Sequence, residues 1–356
     1  MQAAEILDAA PDARIILILG DKDTGKTTCT TNLANECLRR GHSVGIIDTD
    51  IGQSDIGPPT TIGVGIVESR LDTLRNAALQ HLYFVGATSP KGHLLPMIVG
   101  TQKMLAKATA RGLQKILIDT TGLVSGQLGR VLKQHKIDLV NPDLILCLQR
   151  AAECEHILAP YAHFETPRIL RCSPDPHCRS KTPADRQQYR HNQFRQYFAH
   201  AREIECSLND IGLFGTRLFS GRPASPDTLT HSLQQITGET RADFPANSHS
   251  PGSPNTPNIF WAERLNRELL LITAKKLSCQ LFLKLKNTHQ GIDYIHNVTL
   301  DEFQNLLVGV LDESRECRSL GLLRSIDFPA RKATLLTPAP RQAIAGLTFS
   351  RHHLSL

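Results

Sequence analysis

The sequence predicts an α/β fold, a mostly parallel doubly wound sheet with helices on both faces, followed by a smaller β-rich C-terminal domain. Short β-branched apolar runs alternate with segments of helical periodicity through the first half of the chain, the pattern of repeated βαβ units. A stretch rich in Pro, Ser and Asn, residues 241–258, interrupts this patterning, and strand-like runs follow one another beyond it. With 356 residues, 40% hydrophobic and 21% charged, the chain is long enough for about two domains and is neither fibrous nor wholly disordered.

The run RIILILG (14–20) is continuously apolar and β-branched, as in a parallel strand buried on both faces. From Lys26 to Arg40 the residues Cys29, Leu33, Cys37 and Leu38 recur at helical spacing, and Gly41 is a natural stop. SVGIID (43–48) completes a βαβ unit. HLYFVG (81–86), KILID (115–119) and DLILCL (143–148) are further strands, and Gly100 to Arg111 suits a helix between two of them. In the C-terminal part FLKLK (282–286), NLLVGVLD (305–312), LGLLRSIDF (320–328) and KATLLTP (332–338) read as short strands. The expected organisation is a nucleotide-binding domain over 1–240, a linker over 241–258 and a β-rich domain over 259–356. There is no internal repeat.

Lys and Arg number 40 against 34 Asp and Glu, a net charge of +6, too small for a dedicated nucleic-acid-coating domain. The excess is local: Arg168, Arg171, Arg179, Lys181, Arg186, Arg190, Arg195 and Arg202 face only Asp175 and Asp185. The nine cysteines contain no CxxC pair, so neither a disulfide framework nor a zinc ribbon is expected, and a reducing, cytoplasmic setting fits. Cys172, His177 and Cys178 match no common metal spacing. The N-terminus carries Glu5, Asp8 and Asp12 and does not read as a signal peptide, and no run is long enough to span a bilayer.

Gly20-Asp21-Lys22-Asp23-Thr24-Gly25-Lys26-Thr27 satisfies GxxxxGK[ST] between a buried strand and a helix start, followed by Thr28. Its glycines let the backbone curl so that N–H groups point at phosphate oxygens, and the helix N-terminus favours the same anion. Lys26 is placed for the β/γ-phosphates and Thr27 for Mg²⁺, which makes the domain a P-loop NTPase. At the end of the second strand stand Asp48 and Asp50, two apart and on one face, at the edge where such sheets bind ligands. Asp50 is the candidate base for a hydroxyl nucleophile and Asp48 a candidate for holding a metal-bound water; an acidic strand cap is the plainer reading of both. Asp119, ending KILID, occupies the Walker B position and is a second metal candidate, although its setting, DTTG, also occurs in GTPase switches. No NKxD-type guanine-reading element follows, which tilts the nucleotide toward ATP.

The succession GDKDTGKTT, DTDIGQSDIGPP, GATSPKGH (86–93) and DTTGLVSGQLG (119–129) resembles the polynucleotide 5'-hydroxyl kinases, the family of the kinase subunit of the eukaryotic mRNA cleavage and polyadenylation machinery and of nucleolar rRNA-processing kinases. The resemblance covers most of 14–200, with a weaker echo in LLVGVLDESRECRSLGLLRSIDF and LLTPAP. It implies transfer of the γ-phosphate of ATP, with Mg²⁺, to the 5'-hydroxyl of a nucleic acid, RNA rather than DNA, and no membrane partner. RSKTPADRQQYRHNQFRQYF (179–198) looks like the family's lid, which would bring Arg186 and Arg190, four apart on one helical face, to the transferring phosphate; Arg195 would anchor it. Gln53, Thr121 and Gly122 fall in the motifs that would meet the acceptor. Thr88, Ser89 and His93 either line the acceptor channel or form a polar loop. Where the family motif commonly reads TxGW, this chain has Leu123, which offers no aromatic face for a base. Two other functions fit parts of the pattern: a switch-type GTPase or ATPase using DTTG, and a nucleotide-bound, non-catalytic nucleic-acid-binding scaffold.

Overall fold

A computed structural model describes residues 2–176, 178–237, 258–288 and 291–356. The chain divides into two compact units, one formed chiefly by residues 1–200 and the other by 201–313 with 320–355. The division therefore falls near residue 200, earlier than the boundary at 240 suggested by composition, because residues after the basic helix join the second unit's sheets. Of the expected linker, 241–257 lies outside the described residues.

The first unit begins with α1 (Ala3–Ala9) and proceeds through β1 (Ile15–Gly20), α2 (Lys26–Arg39), β2 (Val44–Asp48), β3 (Thr61–Val67), β4 (Ala78–Phe84), α3 (Leu94–Ala110), β5 (Lys115–Asp119), α4 (Gly126–Val140), β6 (Leu144–Leu148), α5 (Glu155–Leu158), β7 (Arg168–Cys172) and α6 (Pro183–Phe198). The strand order is β7-β6-β1-β5-β2-β3-β4. β7 to β2 pair in parallel, and β3 and β4 extend the sheet antiparallel. Successive residues of β1 feed opposite faces: Leu17 and Leu19 pack with Met97, Met104, Leu132 and Ile137 of α3 and α4, whereas Ile16 and Ile18 pack with Ile6, Leu33 and Cys37 of α1 and α2. Burial on both faces is why β1, β2, β5 and β6 are continuous apolar runs in sequence. β3, TIGVGIV, escapes that reading because glycines break it up. Those glycines serve the loop after β2: a Cβ at Gly63 would lie 2.0 Å from the Ile56 carbonyl oxygen.

The second unit contains β8 (Arg202–Ser207), β9 (Gly212–Phe214), β10 (Arg222–Pro223), α7 (Pro226–Thr237), β11 (Ile259–Leu265), β12 (Glu268–Thr273), α8 (Cys279–Thr288), β13 (Tyr294–Thr299), β14 (Leu306–Leu311), β15 (Cys317–Asp327), β16 (Lys332–Thr337) and β17 (Gly346–His353). One sheet runs β8-β16-β15-β14-β17-β9 and the other β10-β11-β12-β13. FLKLK is not a strand as expected but part of α8, which connects the parallel pair β12 and β13. Leu281, Phe282 and Leu285 face the local core while Leu283 is exposed, a spacing of one and four that only a helix satisfies.

Gly63→Ala is expected to lower unfolding stability by about 1–3 kcal/mol, because the methyl group has no space beside Ile56 and the backbone must move; the midpoint of urea denaturation measures it.

Candidate active site

The C-terminal ends of β1, β2 and β5 meet in register, Ile18 and Asp48 each opposite Asp119. From β1 the chain enters the phosphate loop. Gly20 is required by close approach, since a Cβ there would lie 2.4 Å from the Leu148 carbonyl oxygen. Gly25 is left-handed (φ 80°) and stands at the N-cap of α2, where Cys29 N–H donates to its carbonyl at 2.8 Å. Lys26 is buried and donates from Nζ to the Asp21 carbonyl at 2.6 Å, arching over the loop as a phosphate-facing ammonium does. The Asp21 carboxylate accepts from Lys22 N–H, and the Thr24 hydroxyl donates to the Asp21 carbonyl. Lys22, Asp23, Thr24, Gly25, Lys26, Thr27 and Thr28 line a cavity of about 890 Å³, which also takes in Asp50, Gln53, Gly122 and Arg186.

The Thr27 hydroxyl donates to Asp119 Oδ2 at 2.7 Å, while Asp119 Oδ1 is buried with no hydrogen-bond partner. An orphaned buried carboxylate oxygen beside a phosphate-loop hydroxyl fits a hard divalent cation such as Mg²⁺, which takes few protein ligands and completes its shell with phosphate and water. Burial lifts the Asp119 carboxyl to about 6 against the opposing pull of Lys26 and Thr27.

Asp48 is placed differently from expectation. Its Oδ1 accepts from Asp50 N–H at 2.9 Å, and its Oδ2 from Asp55 N–H at 2.7 Å, Ile56 N–H at 3.0 Å and the Ser54 hydroxyl at 3.2 Å. Both oxygens take part in folding the 49–56 loop and Asp48 does not line the cavity, so what the structure shows it doing is building the loop that carries Asp50. Burial, with Asp119 alongside, raises its carboxyl well above the usual range. Asp50 Oδ1 accepts from Gly52 and Gln53 N–H, and its side chain faces the cavity.

Helix α6 starts at the N-cap Thr182, whose hydroxyl accepts from Asp185 N–H, with Pro183 in the first turn. Arg186 reaches the phosphate loop, Nη2 lying 2.5 Å from Asp23 Oδ2. Gln53 Nε2 donates to the Arg186 carbonyl at 3.3 Å, and the Tyr189 hydroxyl donates to Ser54 O and Asp55 Oδ1. Arg75 pairs with Asp55 and lies over the Tyr189 ring. Arg190 does not line the cavity, but it is half-buried within electrostatic reach of Arg186 and Asp50, and burial lowers its pKa. Arg195 is exposed, whereas the rings of Phe194 and Phe198 on the same helix are buried.

Acceptor candidates divide. A Cβ on Gly122 would fall 2.7 Å from Lys22 N, and one on Gly52 2.7 Å from Thr88 O, so these backbones close around the Asp50 side of the cavity with Gln53. Thr121, in contrast, is 3% exposed, with its carbonyl and hydroxyl turned to Lys133, and is no acceptor contact. Ser89 and His93 make local contacts with Lys91 and do not line the cavity. Leu123 packs against the apolar core. Cys172 and Cys178 line the cavity, while His177 lies outside the described residues.

Sequence reasoning missed Lys133 and Lys136, which project from α4 beneath the site and are 0% and 1% exposed. Lys133 Nζ donates to Thr121 O at 2.5 Å and Lys136 Nζ to Thr49 Oγ1 at 2.8 Å. Burial pulls the Lys133 ammonium well below its ordinary range and Lys136 down to about 7. In sequence they look like surface charges; only their spacing of three, in phase with Leu132, Ile137 and Val140, hints that they point inward.

The sequence profile described as mRNA cleavage and polyadenylation factor CLP1 P-loop matches residues 20–200. A polyribonucleotide 5'-hydroxyl-kinase of Pyrococcus abyssi is 31% identical over 98% of this chain and 90% of its own length. One from Methanocaldococcus jannaschii is 30% identical over 93% of this chain and 84% of its own. Among solved structures, wild-type Clp1p in complex with Pcf11p superposes with a TM-score of 0.60 at 12% identity, covering 99% of this chain and 77% of that one, a likeness of fold.

The Asp119 carboxyl is protonated below about pH 6 and ionised above it, and a divalent cation binds only the ionised form. The gain in nucleotide affinity on adding Mg²⁺ is therefore expected to shrink roughly tenfold per pH unit below 6. Fluorescent-nucleotide titrations from pH 5 to 8 on wild type and Asp119→Asn measure it; the variant should lack the gain throughout.

Proposed function

The chain belongs to the CLP1 P-loop family, and from that membership we propose that it is an ATP-dependent polynucleotide 5'-hydroxyl kinase acting on RNA. The observation that carries the reading is one cavity shared by the phosphate loop, the Asp50 carboxylate and the lid arginine Arg186. A triphosphate seated on residues 20–28 presents its terminal group between Lys26 and Arg186. The acceptor's 5'-hydroxyl approaches in line beside Asp50, Gln53 and Gly122. Asp50 takes the hydroxyl proton as the new O–P bond forms and the bond to the β-phosphate oxygen breaks, and ADP leaves with its charge met by Lys26. Thr27 and Asp119 would hold Mg²⁺, which when bound would supply charge neutralisation on the transferring group. Arg186, which lines the cavity, would meet the equatorial oxygens, with Arg190 one helical turn behind it, the role in which such arginines contribute about 10³ to 10⁵ in rate.

RNA is favoured as acceptor by the names of the relatives in Pyrococcus and Methanocaldococcus. The switch reading draws no support from the packing of DTTG: the Thr120 hydroxyl is tied to Ile18 O and the Thr121 carbonyl to Lys133, and both residues are buried. No helix among the described residues is long and apolar enough to cross a membrane. All nine cysteines are free.

Wild type is expected to move labelled γ-phosphate onto a 5'-hydroxyl oligoribonucleotide, and Lys26→Ala to lose at least about 100-fold. Equal, background-level labelling by both proteins with RNA and DNA acceptors would rule the kinase out. Arg186→Ala and Arg190→Ala should lower kcat at least about 100-fold while changing the ATP dissociation constant little, measured by initial rates and by equilibrium nucleotide binding.

A further inference from the structure

Two lysines buried on one helix face need a reason, because removing an ammonium from water costs several kcal/mol even after relaxation. Packing does not supply it, since Leu132, Ile137 and Val140 already fill the core beneath α4. Neither Lys133 nor Lys136 forms an ion pair among the described residues; each donates to a strand end that carries the site. Lys136 Nζ donates to Thr49 Oγ1 at 2.8 Å, and that hydroxyl, its own proton thereby turned outward, donates to the Asp119 carbonyl at 2.8 Å. Thr49 N–H donates to the same carbonyl at 2.9 Å. The relay thus runs from α4 through the residue between Asp48 and Asp50 to the backbone of the residue whose carboxylate meets Thr27. Lys133 acts one step further along, on the Thr121 carbonyl.

We propose that Lys136 is a positioning residue for Asp119, acting through the Thr49 hydroxyl to hold the cation-binding carboxylate at the phosphate loop. This rests on the reading of Thr27 and Asp119 as the place of Mg²⁺ in a phosphotransferase. The hydroxyl adds a side-chain link between two strand ends already joined by ladder bonds and by the Thr49 N–H, so loss of the ammonium that orients it lets the Asp119 carbonyl, and with it the carboxylate, shift relative to Thr27. Outer partners of this kind change metal affinity by about 10- to 100-fold.

The test is fluorescent-nucleotide binding with and without Mg²⁺, together with kinase turnover, for Lys136→Met, Thr49→Val, Lys133→Met and the doubles. Lys136→Met keeps the volume and removes the ammonium. It should cut the Mg²⁺-dependent gain in nucleotide affinity about tenfold, leave Mg²⁺-free affinity within about twofold and lower kcat without raising the acceptor KM. Thr49→Val should reproduce this, and Thr49→Val with Lys136→Met should be no worse than either alone, because both cut one relay. Lys133→Met combined with Thr49→Val should multiply. If Lys136→Met does not fold, Thr49→Val alone decides, since it removes the relay without the buried charge. An undiminished Mg²⁺ gain in a folded Lys136→Met or Thr49→Val, or multiplicative losses in their double, would overturn the proposal. Binding is read without acceptor, so failure of wild type to phosphorylate RNA would count against the kinase and not against the relay.

Discussion

Two carboxylates stand side by side at the ends of neighbouring parallel strands, out of water, and most of the nucleotide-binding unit follows from keeping them there. Asp48 is satisfied by three backbone N–H groups and a hydroxyl, and the same bonds shape the turn that presents Asp50. Asp119 is satisfied on one oxygen only, by Thr27. The asymmetry divides labour between residues that the sheet makes equivalent: the fully bonded one is architecture, and the half-bonded one retains an oxygen for a ligand from outside. Glycines permit the crowding. Gly20, Gly52, Gly63 and Gly122 each sit where a methyl group would strike a neighbouring atom at under 3 Å, so four backbones converge to distances that side chains would forbid.

The N-terminal half of the lid helix is bound to this centre by polar contacts, and its C-terminal half buries two rings. Arg186 and Tyr189 reach Asp23, Ser54 and Asp55, contacts of charge and hydrogen bonding that water and ligand compete for. Phe194 and Phe198 are buried, contacts that water does not replace.

Much of this was legible in the sequence, for identifiable reasons. The phosphate loop, its helix and the strands β1, β2, β5 and β6 show themselves because burial on two faces demands unbroken apolar runs and because phosphate binding demands glycine at fixed intervals. Asp50, Arg186 and the Gly122 backbone come together as their motifs suggest. The antiparallel extension was less visible: β3 alternates glycine with apolar residues to make space for a loop, and that spoils the strand signature. FLKLK alternates like a strand although its partners select a helix. Asp48 and Thr121 have the right identities for ligand contact, but hydrogen bonds to distant residues turn them inward, and no local pattern encodes those partners. Lys133 and Lys136 were hidden most completely, because charge in a helix ordinarily marks its wet face.

The salt bridge between Arg186 and Asp23 sets a threshold. A guanidinium already paired with a carboxylate leaves it only for an anion that attracts it more strongly. An anion seated on residues 20–28 therefore has to compete with the loop's own Asp23 for this guanidinium.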